Sequence, residues 1–226
     1  MQRQALNCIN EEKEERLSAS PGDEDPQHLY DLHAIERRLQ TFQRLPASRA
    51  GRAAAVAIAL CRDSDGAWCF PLTVRASGLR AHPGQYALPG GHIASGESAW
   101  ETASRETEEE VGLAAGQWRR HHLLDDYITR SGSLITPVVL VSDTPLAGLQ
   151  PNPTEVASAF YVRMDALGAV EPLAAYDDTN RAFAIHVAGH LVFAPTGAIL
   201  LQFWDLVREG RTTRVQDVGE PMFAWA

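Results

Sequence analysis

The stretch 90–113, GGHIASGESAWETASRETEEEVGL, is a loop, a helix and a stop in immediate succession, and it constrains the fold more than any other part of the chain. Gly90 and Gly91 interrupt any strand that precedes them, because glycine accepts backbone conformations and close approaches that other residues do not. Ser98 with Glu101 three residues later is a capping-box start signal. Gly112 is placed to end the helix in a left-handed turn, and the residues between are mostly good helix formers. At about 100° per residue, Trp100, Ala103, Thr107 and Val111 fall on one side, which is predicted to face the core. Glu106, Glu109 and Glu110 share an adjacent face at i, i+3 and i+4, whereas Glu101 and Glu108 point toward water.

A glutamate-rich helix is usually a solvated surface, and like charges one turn apart cost only about 0.2–0.5 kcal/mol when exposed. The wider spacing points to something more specific. Gly91 is followed after five residues by Glu97, seven more lead to Arg105 and Glu106, and then come Glu109, Glu110, Gly112 and Leu113. This pattern resembles the Nudix box, G-x5-E-x7-R-E-U-x-E-E-x-G-U, with U a bulky aliphatic residue. All seven fixed positions match, and the one departure is Thr107 at the first U, whose methyl is expected to face the core.

The resemblance implies an α/β protein with the Nudix fold, an α/β/α sandwich around a central mixed β-sheet. It implies Glu106, Glu109 and Glu110 as ligands of Mg2+ or Mn2+, with the Gly91 carbonyl as an added ligand. Such hard cations take carboxylate oxygens, waters and substrate phosphates. Glu106, Glu109 and Arg105 would then carry the catalysis, Glu97 and Arg105 would pair to pin the loop to the helix, and Gly112 would close it. A general base outside the box is left open between Glu155 and Asp126. On this reading Glu109→Gln loses about a thousandfold in kcat, roughly 4 kcal/mol at about 1.36 kcal/mol per tenfold.

The segment before the box, LTVRASGLRAHPGQYALPGG, places Arg75, Arg80 and His82 on a loop shaped by Gly78, Pro83 and Gly84. Cationic side chains there are candidates to grip phosphate oxygens, although exposed arginines are often plain surface charge. This stretch also resembles the motif L-L-T-x-R-[S/A]-x3-R-x3-G-x3-F-P-G-G of the coenzyme A pyrophosphatase subfamily. Thr73, Arg75, Ala76, Arg80, Gly84, Pro89, Gly90 and Gly91 match in register, while Pro71 and Leu88 depart from it. The resemblance covers roughly residues 50–205, including the later P-N-P-x-E-V wording around Glu155. It implies cleavage of the diphosphate of coenzyme A or its derivatives to 3′,5′-ADP and 4′-phosphopantetheine, with Arg75, Arg80 and His82 binding substrate. Two alternatives share the box: a hydrolase of another nucleoside diphosphate derivative such as ADP-ribose or NADH, and a catalytically silent ligand-binding module. The silent module is disfavoured, since no ligand of the box is missing.

A net charge of −9 disfavours a nucleic-acid polymer as main partner, since such binding runs on Lys and Arg. No apolar run approaches the ~20 residues needed to span a bilayer, so no membrane association is expected. Cys8, Cys61 and Cys69 lack CxxC spacing and fit a reducing compartment. With no signal-peptide apolar region near the N-terminus, a cytoplasmic location is expected.

Residues 1–24 read as a flexible acidic tail and 25–226 as a single domain. Asp25 and Pro26 are a helix-start signal, and Leu29, Leu32, Ile35 and Leu39 follow at helical spacing. That amphipathic helix is expected either to lie on the domain or to form a homodimer contact. Residues 53–61 and 67–75 read as strands joined by the turn Asp63–Gly66, with Pro71 marking an edge or bulge. Residues 127–143 read as two strands or one bent strand around Ser131 and Gly132, and 150–164 as a turn then a strand. Residues 183–193 read as a hairpin with Gly189 and His190 at its turn, and 199–207 as a helix packed on the sheet and closed by Gly210.

Overall fold

Strand β1 (Ala53–Arg62) alternates small and large side chains, and that alternation builds the two faces of the molecule. Ala55, Ala57 and Ala59 point one way, to pack with Ala103 of the box helix and with Val138 and Leu140. Ile58 and Leu60 point the other way, into a larger cluster with Phe70, Leu72, Val139 and Val141. The small side chains let the box helix approach the sheet closely, while the large ones fill a thicker core beneath two further helices. Full burial of a leucine-sized side chain stabilises the fold by about 1.5–3 kcal/mol, and Ile58, Leu60 and Phe70 are all fully buried.

The computed structural model describes residues 31–47, 51–79, 82–145, 147–167, 183–216 and 218–219. The acidic segment 1–24, the Asp25 and Pro26 start signal, Leu29 and Arg80 lie outside the described residues. The remaining strands are β2 (Trp68–Arg75), β3 (Tyr86–Ala87), β4 (Gly90–His92), β5 (Arg120–Leu123), β6 (Tyr127–Ile128), β7 (Leu134–Pro145) and β8 (Val156–Arg163). They form one mixed sheet in the order β3-β2-β1-β7-β5, with β4 on β1, β6 on β7 and β8 on β2. β1 runs parallel to β7, and the other pairings are antiparallel.

Pro71 does not mark an edge strand. β8 pairs along one side of β2, from Cys69 to Arg75. On the other side β1 pairs only at Trp68 and Cys69, and β3 only at Thr73 and Val74. Pro71 falls in the gap between them, where the missing N–H leaves no ladder bond unmade. β1 and β2 diverge at that gap, and the segment carrying β3 and β4 fills the wedge. β4 pairs Gly91 with Ala55 and so brings the double glycine onto the sheet under the box helix.

Helix α1 (Leu32–Thr41) lies on the domain, with Ile35 and Leu39 buried. Arg38 donates from Nη1 to the carbonyls of Val207 and Arg208, the latter at 2.9 Å. The box helix is α2 (Ala99–Val111), and α3 (Thr196–Trp204) runs on through a wider turn (Asp205–Glu209) to Gly210. α1 and α3 cover the large-residue face and α2 covers the other, which makes an α/β/α sandwich. The hairpin β9 (Ala184–Val187) and β10 (His190–Phe193) also packs on the large-residue face. Its turn is Ala188 and Gly189, one residue earlier than expected, because His190 already pairs with Val187. Both turn residues have positive φ, 49° and 82°, as a two-residue hairpin with strand-matching twist requires. Among the described residues no helix is long and apolar enough to cross a membrane.

Candidate active site

Helix α2 begins and ends where its local chemistry dictates. Ser98 Oγ accepts from Glu101 N at 3.4 Å, and the Ser98 backbone N–H donates to Glu101 Oε2 at 2.9 Å. Gly112 takes φ 77° and its N–H donates to Glu108 O at 2.9 Å. Ala103, Thr107 and Val111 are fully buried. Thr107 Oγ1 donates to Ala103 O at 2.6 Å, so its hydroxyl is satisfied within the helix and its methyl serves as the apolar group at that position. Trp100 departs from the expectation of a core position: it is 39% exposed and stacks on His121, ring centroids 5.0 Å apart. Ala99 in the same turn packs against the alanine cluster, whereas the Trp100 ring lies out over His121 of edge strand β5.

Arg105 organises the glutamates. Its Nε donates to Glu97 Oε1 at 2.9 Å and its Nη2 to Glu97 Oε2 at 3.1 Å. Its Nη1 donates to Glu106 Oε1 at 2.8 Å and to Glu109 Oε2 at 3.0 Å. Glu97 Oε2 also accepts from Thr102 Oγ1 at 2.8 Å and Ala94 N at 3.2 Å. Hydrogen bonds from Arg105 first, then Thr102 and Ala94, hold the Glu97 carboxyl down to about 2. The opposing carboxylates in turn hold Arg105 firmly protonated.

Three carboxylates converge: Glu106, Glu110 and Glu155 each offer an oxygen within 4.8 Å of the others. Glu106 lies directly against Gly91, where a Cβ would come within 2.1 Å of Glu106 Oε1, so a larger residue there would displace the Glu106 carboxylate. Glu110 is buried, and burial first, then the neighbouring Glu106, pushes its carboxyl up to about 8. Arg75 and a hydrogen bond from the Gly90 backbone oppose that rise, while Glu155 adds to it. Burial likewise raises Glu106 against the pull of Arg105. A buried carboxyl crowded by its own kind is the environment in which a bound cation is most effective, because it reverses the local electrostatics.

The cluster differs from the expected one in its third member. Glu109 is turned to Arg105 on the solvent side of the helix, and Glu155, expected only as a candidate base, takes the place beside Glu106 and Glu110. No local signal in α2 points to Glu155, which arrives from the turn before β8. Asp126, the other candidate base, belongs elsewhere. Its Oδ1 accepts from Arg44 at 2.5 Å and Thr136 at 2.7 Å, and its Oδ2 accepts from Ala47 N at 2.9 Å. Those bonds tie the segment after α1 to the sheet. Arg75 ends β2 on the cluster's side, within electrostatic reach of Glu110. His82, at φ 56°, sits beside Arg75, and burial together with that guanidinium pushes its ring toward the neutral form.

A NUDIX domain model matches residues 51–183. Nudix hydrolase 3 of Caenorhabditis elegans is 34% identical over 151 residues, 62% of this chain and 62% of that protein. Peroxisomal coenzyme A diphosphatase NUDT7 of Mus musculus is 38% identical over 96 residues, 41% of this chain and 39% of that one. The chain therefore spans less than two thirds of the length of either curated relative. Among solved structures, the Nudix hydrolase RenU of M. Smegmatis is 27% identical with a TM-score of 0.43, covering 52% of this chain and 73% of that one.

Proposed function

This chain belongs to the NUDIX domain family, and from that premise we propose that it is a hydrolase cleaving the diphosphate bond of coenzyme A or its derivatives. Water adds across the anhydride, and the halves leave as phosphomonoesters, 3′,5′-ADP and 4′-phosphopantetheine or its acyl form. The observation that carries this reading is the convergence of Glu106, Glu110 and Glu155 against Gly91. That donor set is all carboxylate oxygen and includes a buried group held toward neutrality, which fits Mg2+ or Mn2+. The chemistry a divalent cation supplies at such a site is neutralisation of charge on the diphosphate and activation of water.

The chain's own residues do the rest. Arg105 fixes Glu106 and the loop through Glu97, and holds Glu109 on the same fork. Arg75, at the cluster's rim, is suited to planar bidentate contact with the diphosphate or the 3′-phosphate. His82 beside it offers a neutral ring for hydrogen bonding, and Arg80 belongs to the same loop. Preference for coenzyme A is supported by the residues matching its pyrophosphatase motif in the loop before the box and by the similarity to the mouse diphosphatase.

A substrate panel with Mg2+ or Mn2+ tests the proposal, using coenzyme A and its thioesters, ADP-ribose, NADH and dinucleoside polyphosphates. Coenzyme A or a thioester is expected to show the highest kcat/KM. Much faster turnover of ADP-ribose or NADH would reject the substrate and keep the reaction, whereas no turnover of any member would reject both.

A further inference from the structure

We infer that Asn152 is the positioning residue that sets Glu155 into the acidic cluster, working through the turn 150–155. The inference rests on the metal-dependent reading above. Glu155 is exposed and comes from a different element than Glu106 and Glu110, so packing alone does not hold it beside them.

The last carbonyls of a helix lack partners within the helix, and this turn supplies them. Gln150 N donates to Val111 O and Asn152 N donates to Glu110 O, each at 2.9 Å. Gly112 makes room for the contact, since a Cβ there would stand 2.8 Å from Gln150 Cβ. The Asn152 carbonyl then accepts from Glu155 N at 3.0 Å and Val156 N at 2.8 Å. One residue's peptide groups thus link the backbone of Glu110 to the backbone of Glu155. The Asn152 side chain locks the turn: Oδ1 accepts from Thr154 N at 3.2 Å and Thr154 Oγ1 at 2.8 Å. Pro151 and Pro153 flank it and restrict the backbone further. On the far side Ala76 N donates to Glu155 O at 2.8 Å, tying the turn to the end of β2 next to Arg75. Helix end, third carboxylate and candidate phosphate-gripping arginine therefore meet at one junction with Asn152 at its centre.

The test uses the full chain and a double-mutant comparison of Asn152→Ala and Glu155→Gln, each read by Mn2+ affinity in calorimetry and by kcat and KM for coenzyme A. Asn152→Ala is expected to weaken Mn2+ binding and kcat by about tenfold each, with KM nearly unchanged, in the range usual for residues that orient metal ligands. Asn152→Asp, which keeps the acceptor oxygen, is expected to recover most of the loss. In the Glu155→Gln background, Asn152→Ala is expected to add less than about twofold. An equal loss from Asn152→Ala in both backgrounds, or unchanged Mn2+ affinity in the single variant, overturns the positioning role. Glu155→Gln without effect on either readout overturns the three-carboxylate site itself. Should Asn152→Ala fail to fold, Thr154→Val removes the hydroxyl partner of Oδ1 and is expected to show the same non-additivity at about threefold.

Discussion

Glu110 is a carboxyl in surroundings that disfavour its charge, and that has a consequence for stability. Its pKa rises from 4.5 to about 8 because of burial first and Glu106 second. An acid whose pKa is raised by folding stabilises the fold fully below its unfolded value and loses that contribution as pH rises through the folded value. Metal-free protein is therefore expected to lose stability between pH 4.5 and 8, on the order of a few kcal/mol. Denaturant unfolding in chelator should show this decline, and Glu110→Gln should flatten it; an identical pH profile in both proteins would contradict the assignment. Arg105→Lys addresses the organising side chain. Lysine has no planar fork to reach Glu97, Glu106 and Glu109 together, so activity is expected to fall about ten- to a hundredfold with the fold retained. A steady-state assay beside a thermal melt checks both halves of that statement.

The elements divide the work between the two faces of β1. Ala57 lies under α2 and Leu60 lies in the opposite core. Ala57→Leu is expected to cost about 1–3 kcal/mol by overpacking and to lift α2, so Mn2+ affinity falls with the melting temperature. Leu60→Ala is expected to cost about 2–5 kcal/mol while leaving Mn2+ affinity at its original value once the protein is folded. If both substitutions change Mn2+ binding alike, the helix is not seated by the alanine stripe as described. The ends of α2 were legible in sequence because Ser98, Glu101 and Gly112 act on their immediate neighbours. Trp100 was not, because its exposure depends on a tertiary neighbour of its own ring, His121 of β5. Pro71 misled for a related reason: the wedge between β1 and β2 that accommodates it is a property of the sheet, invisible in the strand itself.

At the scale of the molecule, the α/β/α sandwich around a mixed sheet was expected because the box resembles that of the Nudix family, and the sheet and its flanking helices have that form. Residues 53–61 read in sequence simply as a strand, and the division of its alanines from Ile58 and Leu60 between two cores is a finding of the structure. The apolar stripe of α1 left two outcomes open, and the structure spends Ile35 and Leu39 on the domain's own core. The convergence of Glu155 with the box was the least legible feature, since it depends on how the turn before β8 docks on the end of α2. Mn2+ titration of the full chain, compared with Glu110→Gln, follows that convergence from binding to reaction when coenzyme A hydrolysis is measured in the same samples. The substitution is expected to weaken Mn2+ binding by about a hundredfold and to lower kcat by about a thousandfold. Mn2+ affinity and turnover both unchanged in Glu110→Gln would contradict the carboxylate cluster as the seat of the chemistry.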